Sequence, residues 1–514
     1  MRAQSRRRAL AFLFPMGLWG VADAQEPAPS EVKADAPEVK AAPAGRPEPR
    51  PISPTVKKGL DWLVEHQLKD GGWGQGDEAA RMGGGGELRD RANVADTCVA
   101  ALALVRSGST PASGPYKDAV ARAVRYVRSQ VEASDSQSLD VSPVKGTRVQ
   151  AKLGPNIDTF LASLLLAEVE GKMADPAENK SVDVALHKVI DKIKKHQKAD
   201  GTWDNATGWA PILAQSMAGK GLNRAVQNGA QVGDEVLARA ENYAKFQVAQ
   251  NRQPVVVGTS APPLGVSGRV PIYTKSESGT VVASTLTAGA TTELGEGRPV
   301  GGGGFAGSGG GVGGGFAGGG AGIGGAGSFG GGGGFAGSSG GSTVARPSGS
   351  AGVELYDKAA SLSVLNDSVN TNATKVSEFR AVIATSPDKQ KVADAQVMIE
   401  RFRSAEEARD VAQKQVVSRL DDKGFVSGFG SNGGEEFLSY MNIGESLVQQ
   451  GGPAWKKWDE SMTANLNRIQ NDDGSWSGNH CITGRTFCTS TALLVQMCDR
   501  APVPSRGPAK PDVK

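Results

Sequence analysis

The chain has 514 residues, and its 57 Lys and Arg nearly balance its 54 Asp and Glu, for a formal net charge of +3. That balance gives no electrostatic footprint for nucleic acid, which needs a strongly basic domain or face. The length exceeds that of one average domain, and aromatic residues make up only 5% of the chain. We therefore expect a large, aromatic-poor protein with no nucleic-acid partner.

Residues 1–24 have the features of an export signal. Four arginines precede an apolar run at 9–21, which is too short to span a bilayer comfortably. Small residues at Ala22 and Ala24 then match a cleavage site before Gln25. The alternative is an uncleaved membrane anchor. We expect a periplasmic or secreted protein that has no integral membrane span once the signal is removed.

Two segments have compositions that cannot bury a core. Residues 25–54 are rich in Pro, Ala and Glu, and residues 501–514 are rich in Pro and Lys. Segments of this kind stay disordered because they bury too little apolar surface to offset the entropy of ordering. We predict a disordered linker at 25–54 and a disordered tail at 501–514.

One pattern, Gln-x-x-Asp-Gly-x-Trp, occurs three times, and each copy ends an amphipathic helical run. The Asp-Gly pair turns the chain, and the Gln can hydrogen-bond carbonyls freed at a helix end. The Trp ring can pack between neighbouring helical hairpins. We interpret the pattern as structural rather than catalytic. Its residues are Gln67, Asp70, Gly71, Trp73, Gln197, Asp200, Gly201, Trp203, Gln470, Asp473, Gly474 and Trp476.

Amphipathic and wholly apolar helical runs alternate along the chain. The run 56–66 has apolar residues at helical spacing, whereas 94–105 is apolar all round, which is typical of a buried helix. The same alternation predicts outer helices at 116–130, 182–196, 236–249 and 455–469, and inner helices at 156–168, 208–218, 355–369, 435–449 and 486–497. With further helical residues at 389–420, about six hairpins can be counted. The fourth and fifth are inferred from weaker patterns.

Residues 251–350 interrupt this series, between a first half at 55–250 and a second half at 351–500. The octapeptide at 301–308 recurs at 331–338, and both are mostly glycine. Glycine at this density loses too much conformational entropy on ordering. A phosphate-binding loop would need a Lys-Ser/Thr ending and a preceding strand, and neither is present. We predict a disordered insertion.

The triple repeat and the alternating helices resemble the prenyltransferase and squalene-oxidase repeat proteins, the superfamily of terpenoid (squalene) cyclases and protein prenyltransferases. The resemblance covers about residues 56–500, apart from the insertion. It implies an all-α fold, an α/α toroid with six inner helices around a central cavity and six outer helices. It leaves the activity open.

The sequence lacks the motifs that are typical of most enzymes of that superfamily. The acidic D-x-D-D and D-D-x-x-D boxes are absent, as is Cys-Gly-x-x-Gln. A prenyltransferase-like zinc site of Asp96, Cys98 and His480 has suitable residue types, but Asp96-Thr97 is repeated as Asp158-Thr159 at the start of the next inner helix. That repetition favours a helix-capping role. Glu435 and Glu436, at the start of an inner helix, could serve as acid or base in a glycan-cleaving toroid, or simply as partners of the helix dipole.

We therefore expect no cofactor, with zinc as the alternative, and a non-catalytic protein that binds an unidentified ligand or protein partner in its ring. The alternative is an enzyme that acts on an isoprenoid or a glycan in the cavity. A convergent polar cluster at one mouth of the cavity would separate the two. Its candidates are Asp96, Asp158, Trp209, Glu435, Tyr440, His480 and Arg485.

Two further features stay open in the sequence. Export permits disulfides, and Cys481 and Cys488, which flank one short loop, are the pair that we expect to form one. Spacing alone does not establish connectivity. The glycine-rich insertion could itself act through self-association or surface attachment.

Overall fold

The computed structural model describes residues 45–79, 86–203, 208, 210–250, 269–275, 281–287, 355–422 and 433–502. The export signal, Trp209, most of the linker and tail, and most of the glycine-rich insertion lie outside these ranges. Helices dominate the described residues, which confirms the all-α fold class. No helix within them is both long and apolar enough to cross a membrane.

The described ranges contain fourteen α-helices, and each predicted helical run overlaps one of them. They are α1 (Pro54–Glu65), α2 (Gly86–Arg89), α3 (Val94–Arg106), α4 (Lys117–Ala133), α5 (Arg148–Leu153), α6 (Ile157–Val169), α7 (Pro176–Lys195), α8 (Pro211–Gln227), α9 (Asp234–Gln250), α10 (Tyr356–Thr385), α11 (Lys389–Val417), α12 (Gly434–Gln450), α13 (Gly452–Ile469) and α14 (Arg485–Gln496). Short 3-10 turns follow α11 at Ser418–Asp421 and α14 at Cys498–Arg500.

Two strands lie inside the segment that separates α9 from α10. Strand β1 (Arg269–Lys275) pairs antiparallel with β2 (Val281–Thr287). Their Val, Ile and Thr content is typical of strands. The glycine-rich composition of this segment does not predict this pairing, and the prediction of disorder for the rest of 251–350 lies outside the described residues.

Helix starts follow local signals in the sequence. The Ser53 hydroxyl accepts a hydrogen bond from Val56 N at 3.2 Å, and Pro54 occupies the first helical position, where its missing N–H has no consequence. The same arrangement opens α7, where Asp175 accepts from Ala177 N ahead of Pro176. At α11, Asp388 accepts from Gln390 N.

Six helices pack on one another in a cyclic order, and we call them the inner helices. In that order α3 contacts α6, α6 contacts α8, α8 contacts α10, α10 contacts α12, α12 contacts α14 and α14 contacts α3. Every residue of α6 and of α8 is buried. A helix buried on all sides needs packing partners on all sides, and the cyclic order supplies them.

Six more helices each contact one or more of the inner helices, and we call them the outer helices. They are α1, α4, α7, α9, α11 and α13. Their buried residues recur at helical spacing, as in α13, where Trp455, Trp458, Met462 and Leu466 are buried. Most charged side chains of α13 between these positions, such as Lys456, Lys457 and Glu460, are exposed. The amphipathic and apolar runs of the sequence therefore correspond to the outer and inner helices.

The Trp of each repeat binds both helices of its own pair. Each indole Nε1 donates to a carbonyl ten positions earlier, at 2.8 Å: Leu63 for Trp73, Ile193 for Trp203 and Leu466 for Trp476. Each Trp backbone N–H donates to a side chain of the following inner helix, from Trp73 to Thr97, from Trp203 to Gln215 and from Trp476 to Thr489. The indole rings are at most 1% exposed, so these polar groups depend on these bonds.

The Gln of each repeat reaches a different outer helix. The amide nitrogen of Gln67 donates to Ala119 O of α4 at 2.9 Å, and that of Gln197 donates to Val236 O of α9 at 3.0 Å. The third copy returns to the start of the described fold, because Gln470 donates to Thr55 O of α1 at 3.0 Å. Each repeat thus joins one outer helix to another, and the last copy joins α13 to α1.

The Gly of each repeat lies tightly against that same outer helix. Gly71, Gly201 and Gly474 have φ values of +92°, +87° and +95°. A Cβ added to Gly474 would lie 2.8 Å from the Lys58 carbonyl oxygen, and one added to Gly201 would lie 2.2 Å from the Arg239 oxygen. Both the backbone angle and the available space therefore require glycine.

We expect Gly474→Ala to destabilise the protein by about 2–5 kcal/mol, the sum of left-handed backbone strain and overpacking against α1. Gly108→Ala is the matched control, because Gly108 also has a positive φ, +103°, but has nothing within 4 Å of an added Cβ. That control should cost about 1–2 kcal/mol from strain alone. Urea unfolding measures both variants. Equal losses in the two would show that the contact with α1 contributes nothing.

Candidate functional site

The candidate residues of the sequence lie mainly in the first turns of the inner helices. Asp96 is in α3, Asp158 in α6 and Glu435 in α12. Arg485 begins α14, and His480 lies in the loop before it. Tyr440 is further along α12, and Trp209 lies outside the described residues.

Asp158 holds the start of α6 against the start of α3. Its Oδ1 accepts from Ala95 N at 3.1 Å, and its Oδ2 accepts from the Gln150 amide at 2.8 Å. Asp158 has no exposed surface, and this burial raises its pKa. Its hydrogen bonds stabilise the packing of two neighbouring inner helices.

Asp96 is a buried acid with one unpartnered oxygen. Its Oδ2 accepts from the Asn93 amide at 2.7 Å, and its Oδ1 has no hydrogen-bond partner. Burial, reinforced by the negative charge of Asp158, raises the pKa of Asp96 to about 8. At neutral pH this carboxyl is therefore largely protonated.

The capping role expected for the Asp-Thr pairs is wrong. In α3 the cap is Asn93, whose side chain accepts from Asp96 N, so Asp96 is already inside the first turn. Thr97 donates to Asn93 O and accepts from the Trp73 backbone. The Asp-Thr pairs instead serve contacts between elements, because Thr159 donates to the distant Leu139 O.

Four side chains meet beside the loop before α14, and we call them the Cys481 cluster: Cys481, His480, Lys152 and Glu435. The Cys481 Sγ lies 2.7 Å from His480 Nδ1 and accepts from Lys152 Nζ at 3.3 Å. The same Nζ is 3.7 Å from Glu435 Oε1, and Glu435 Oε2 accepts from Ile482 N at 3.2 Å. These residues come from α5, α12 and the loop.

Cys481 has an unusual backbone. Its φ is 62°, and among the described residues it is the one non-glycine with a positive φ. Such a conformation costs about 1–3 kcal/mol and persists only where the surrounding structure enforces it. Burial and the charge of Glu435 raise the pKa of the Cys481 thiol, while Lys152 acts in the opposite direction. Burial also raises the pKa of Glu435, again with Lys152 opposing.

Tyr440 and Arg485 do not join this cluster. The Tyr440 hydroxyl donates to Glu436, and its ring packs edge-on against Trp458 with centroids 5.7 Å apart. Arg485 forms an ion pair with Asp473 of the third repeat. The structure thus brings Glu435 and His480 into one cluster and places Asp96 beside Asp158. Tyr440 and Arg485 lie in neither group.

Lys152 is not among the site residues predicted from the sequence, and Cys481 is predicted there only as half of a disulfide. Lys152 lies on the six-residue α5, which is too short for a periodicity signal. A capping box, formed by Thr147 and Gln150, marks the start of α5 and was the available clue.

The structure describes all four cysteines and all three predicted zinc ligands. All four cysteines are free thiols, so the predicted Cys481–Cys488 disulfide is not formed in this structure; the Cys488 thiol donates to Ile482 O instead. Within the described ranges, no group of three or more His, Cys, Asp or Glu side chains is placed to hold a metal ion. The zinc set Asp96, Cys98 and His480 is therefore not brought together.

A second polar cluster lies ten residues further along the inner helices. Arg106 follows Asp96 by ten positions, Glu168 follows Asp158 and Glu445 follows Glu435. Ten residues of α-helix span about 15 Å. We call this cluster the axial network. It contains three cations and three carboxylates, each at most 5% exposed: Arg106, Lys220, Arg224, Glu168, Asp367 and Glu445.

The axial network joins helices that are not neighbours in the cyclic order. Glu445 of α12 pairs with Lys220 of α8 at 2.7 Å and with Arg106 of α3 at 3.2 Å. Arg106 also pairs with Glu168 at 2.7 Å. Although burial acts in the opposite direction, the charges of Lys220 and Arg106 lower the pKa of Glu445 to about 2. At this level, buried ion pairs link α12 to α3 and to α8.

No protein-family model, no curated protein and no solved structure matches this chain.

The raised pKa of Asp96 predicts a pH dependence of stability. The folded protein binds a proton at Asp96 that the unfolded chain releases, so this contribution is full below the ordinary pKa and is lost as the pH rises through about 8. Asp96→Asn keeps the shape and removes the titration. In urea unfolding, wild type should lose stability relative to Asp96→Asn between pH 5 and pH 9. A constant difference across that range would contradict the assignment.

We expect Glu445→Gln to destabilise the protein by about 3–5 kcal/mol, because it leaves buried Lys220 and Arg106 without their shared carboxylate. Glu400→Gln is the matched control, since Glu400 pairs with Arg403 on the surface, where ion pairs contribute little. The thermal midpoint should fall for the first variant and stay nearly unchanged for the second. Equal midpoints would mean that the axial network does not hold the inner helices.

Proposed function

We propose that the chain is an exported, non-catalytic α/α toroid of the prenyltransferase and squalene-oxidase repeat type. In this proposal it binds a ligand or protein partner at the amino-terminal ends of its inner helices. The ring architecture is supported by the cyclic order of inner-helix contacts and by the bond from Gln470 to Thr55, which joins the last outer helix to the first. The same contacts support six pairs of inner and outer helices.

The axial network is the observation that carries the non-catalytic part of the proposal. A terpenoid cyclase or prenyltransferase needs an apolar, aromatic-lined interior for its substrate. Here the interior holds Glu445, Lys220 and Arg106, whose ion pairs run between non-neighbouring helices. An isoprenoid placed there would have to displace paired buried charges, which costs several kcal/mol per ion.

The candidate acids support the same conclusion. Asp158 is engaged by Ala95 N and by Gln150, and Glu435 is engaged by Ile482 N. A carboxyl group that already accepts bonds from neighbouring elements serves first to align them. At the amino-terminal ends of the inner helices, a partner can reach the exposed groups, which include His480.

An enzyme remains the second candidate, and one observation favours it. Asp96 is a buried carboxylic acid with a pKa raised to about 8, so it can donate a proton at neutral pH, as a general acid must. Its free Oδ1 atom would be the reacting group.

Native mass spectrometry and metal analysis of protein lacking residues 1–24 test the proposal. We expect the mass of the bare chain, no stoichiometric zinc, and no conversion of an added isoprenyl diphosphate or squalene. Product formation that Asp96→Asn abolishes would establish the enzyme instead, and a co-purified isoprenoid would show that the axial network does not exclude such a substrate.

The binding role is tested by capture of partners from the exported fraction of native cells. His480→Ala, at the proposed binding end, should reduce the captured amount severalfold relative to wild type. Lys180→Ala, on the exposed surface of outer helix α7, is the matched control and should capture normally. Equal capture by all three baits would place the binding surface elsewhere.

A further inference from the structure

Three arginines converge at the carboxy-terminal ends of the inner helices. Arg106 ends α3, and Arg224 lies in the last turn of α8. Both reach the same atom, Glu168 Oε1, with Arg106 Nη2 at 2.7 Å and Arg224 Nε at 3.6 Å. The third arginine, Arg46, belongs to the residues that precede α1 and is half-buried. We call these three side chains the arginine cluster.

Contacts with residues 499–502, which follow α14, place Arg46 beside Arg224. Arg46 Nη2 donates to Asp499 O at 2.7 Å and to Ala501 O. Arg224 Nη1 donates to the next carbonyl, Pro502 O, at 3.5 Å. Because these acceptors belong to adjacent residues, the two guanidinium groups lie close together. Cations held this close repel one another.

Several N–H groups of the arginine cluster have no acceptor. Within the part of the chain that the structure describes, Arg106 Nε, Arg106 Nη1 and Arg46 Nη1 are buried and have no hydrogen-bond partner. The carboxylates of Glu168 and Glu445 both bind Arg106 through Nη2, and the side chain of Arg106 is only 3% exposed. Buried donors in folded proteins are rarely left without an acceptor. These groups therefore point to an acceptor that binds between the two arginines.

Positive charge exceeds negative charge around the arginine cluster. The next acid along the chain, Asp499, is already paired with Arg50 at 3.2 Å. Burial raises the pKa of Asp367, which favours its neutral form. Two acid oxygens of the described residues, Glu168 Oε2 and Asp367 Oδ2, also lack a hydrogen bond, and their repulsion favours a singly charged anion over a doubly charged one. Among the described residues, five cations surround three acids: Arg46, Arg106, Lys172, Lys220 and Arg224 surround Glu168, Asp367 and Glu445.

We propose that a small monovalent anion, chloride, binds within the arginine cluster. It accepts from the N–H groups of Arg46 and Arg106 that have no other acceptor, and it offsets the repulsion among the three guanidinium groups. The ionised side chains of the axial network are at most 5% exposed, which favours a monatomic ion over an oxyanion. The anion ties the residues before α1 and those after α14 to the inner helices α3 and α8. The inference does not depend on the proposed function.

The test uses the protein purified after export and compares chloride with gluconate, an anion too large for this site, at constant ionic strength. The thermal midpoint should rise and then saturate as chloride replaces gluconate, by about 2–5 °C at 100 times the dissociation constant. Crystals grown in bromide should show an anomalous peak beside Arg46 and Arg106. Equal midpoints in the two salts, or bromide bound only at the protein surface, would overturn the proposal.

Arg46→Gln removes a positive charge and a donor from a half-buried position, so the fold should survive. The chloride concentration that gives half of the midpoint shift should rise about tenfold. Arg50→Gln is the matched control, because Arg50 also precedes α1 but is paired with Asp459 and Asp499. That control should lower the midpoint in both salts and leave the chloride response unchanged.

Arg106→Gln removes the buried donors, and its bromide crystals should show no peak at this position. Should that variant fail to fold, the comparison of Arg46→Gln with Arg50→Gln decides. An unchanged chloride response in Arg46→Gln, or an equal loss of response in the two variants, would contradict the site. A midpoint that phosphate raises and chloride does not would contradict the assigned size and charge of the anion.

Discussion

A hydrogen bond joins two residues at opposite ends of the described fold, where the last outer helix meets the first. The Gln470 amide donates to Thr55 O, 415 positions earlier in the chain. Copies of the same bond join α1 to α4 and α7 to α9. In each copy the glycine lies so close to the neighbouring outer helix that a Cβ would not fit. One short pattern thus satisfies a helix end and a turn, and it fixes three of the contacts between outer helices.

The inner helices are aligned by polar groups at two levels. At the first turns, Asp158 bonds to the backbone of α3, and Glu435 bonds to the loop before α14. About 15 Å further along, Glu445 links α12 to α3 and to α8. Buried ion pairs contribute little net stability, but losing one partner is costly. They therefore act against any sliding of one inner helix past another, and the Cys481 cluster depends on that alignment.

Periodicity predicted the helices but not their full lengths or their polar contacts. The apolar stripes of α1 and α13 and the uniform apolarity of α3 and α6 carry strong signals, because burial on one side or on all sides selects those patterns. The 30 residues of α10 and the six residues of α5 carry only weak periodicity signals. The Asp96-Thr97 pair was misread as a cap because a cap and an interhelix contact select the same residue types.

The sequence by itself determined the all-α class, the alternation of helix types and the structural role of the repeat. These follow from interactions within about ten residues, such as the bond from each Trp to a carbonyl in the helix before it. Only the tertiary structure decided which charges meet. Lys152 and Cys481 are 329 positions apart, and Arg106 and Glu445 are 339 apart. No local sequence pattern predicts such pairings. The residues next to each charged side chain in the sequence form the same helix whichever distant residue that side chain pairs with.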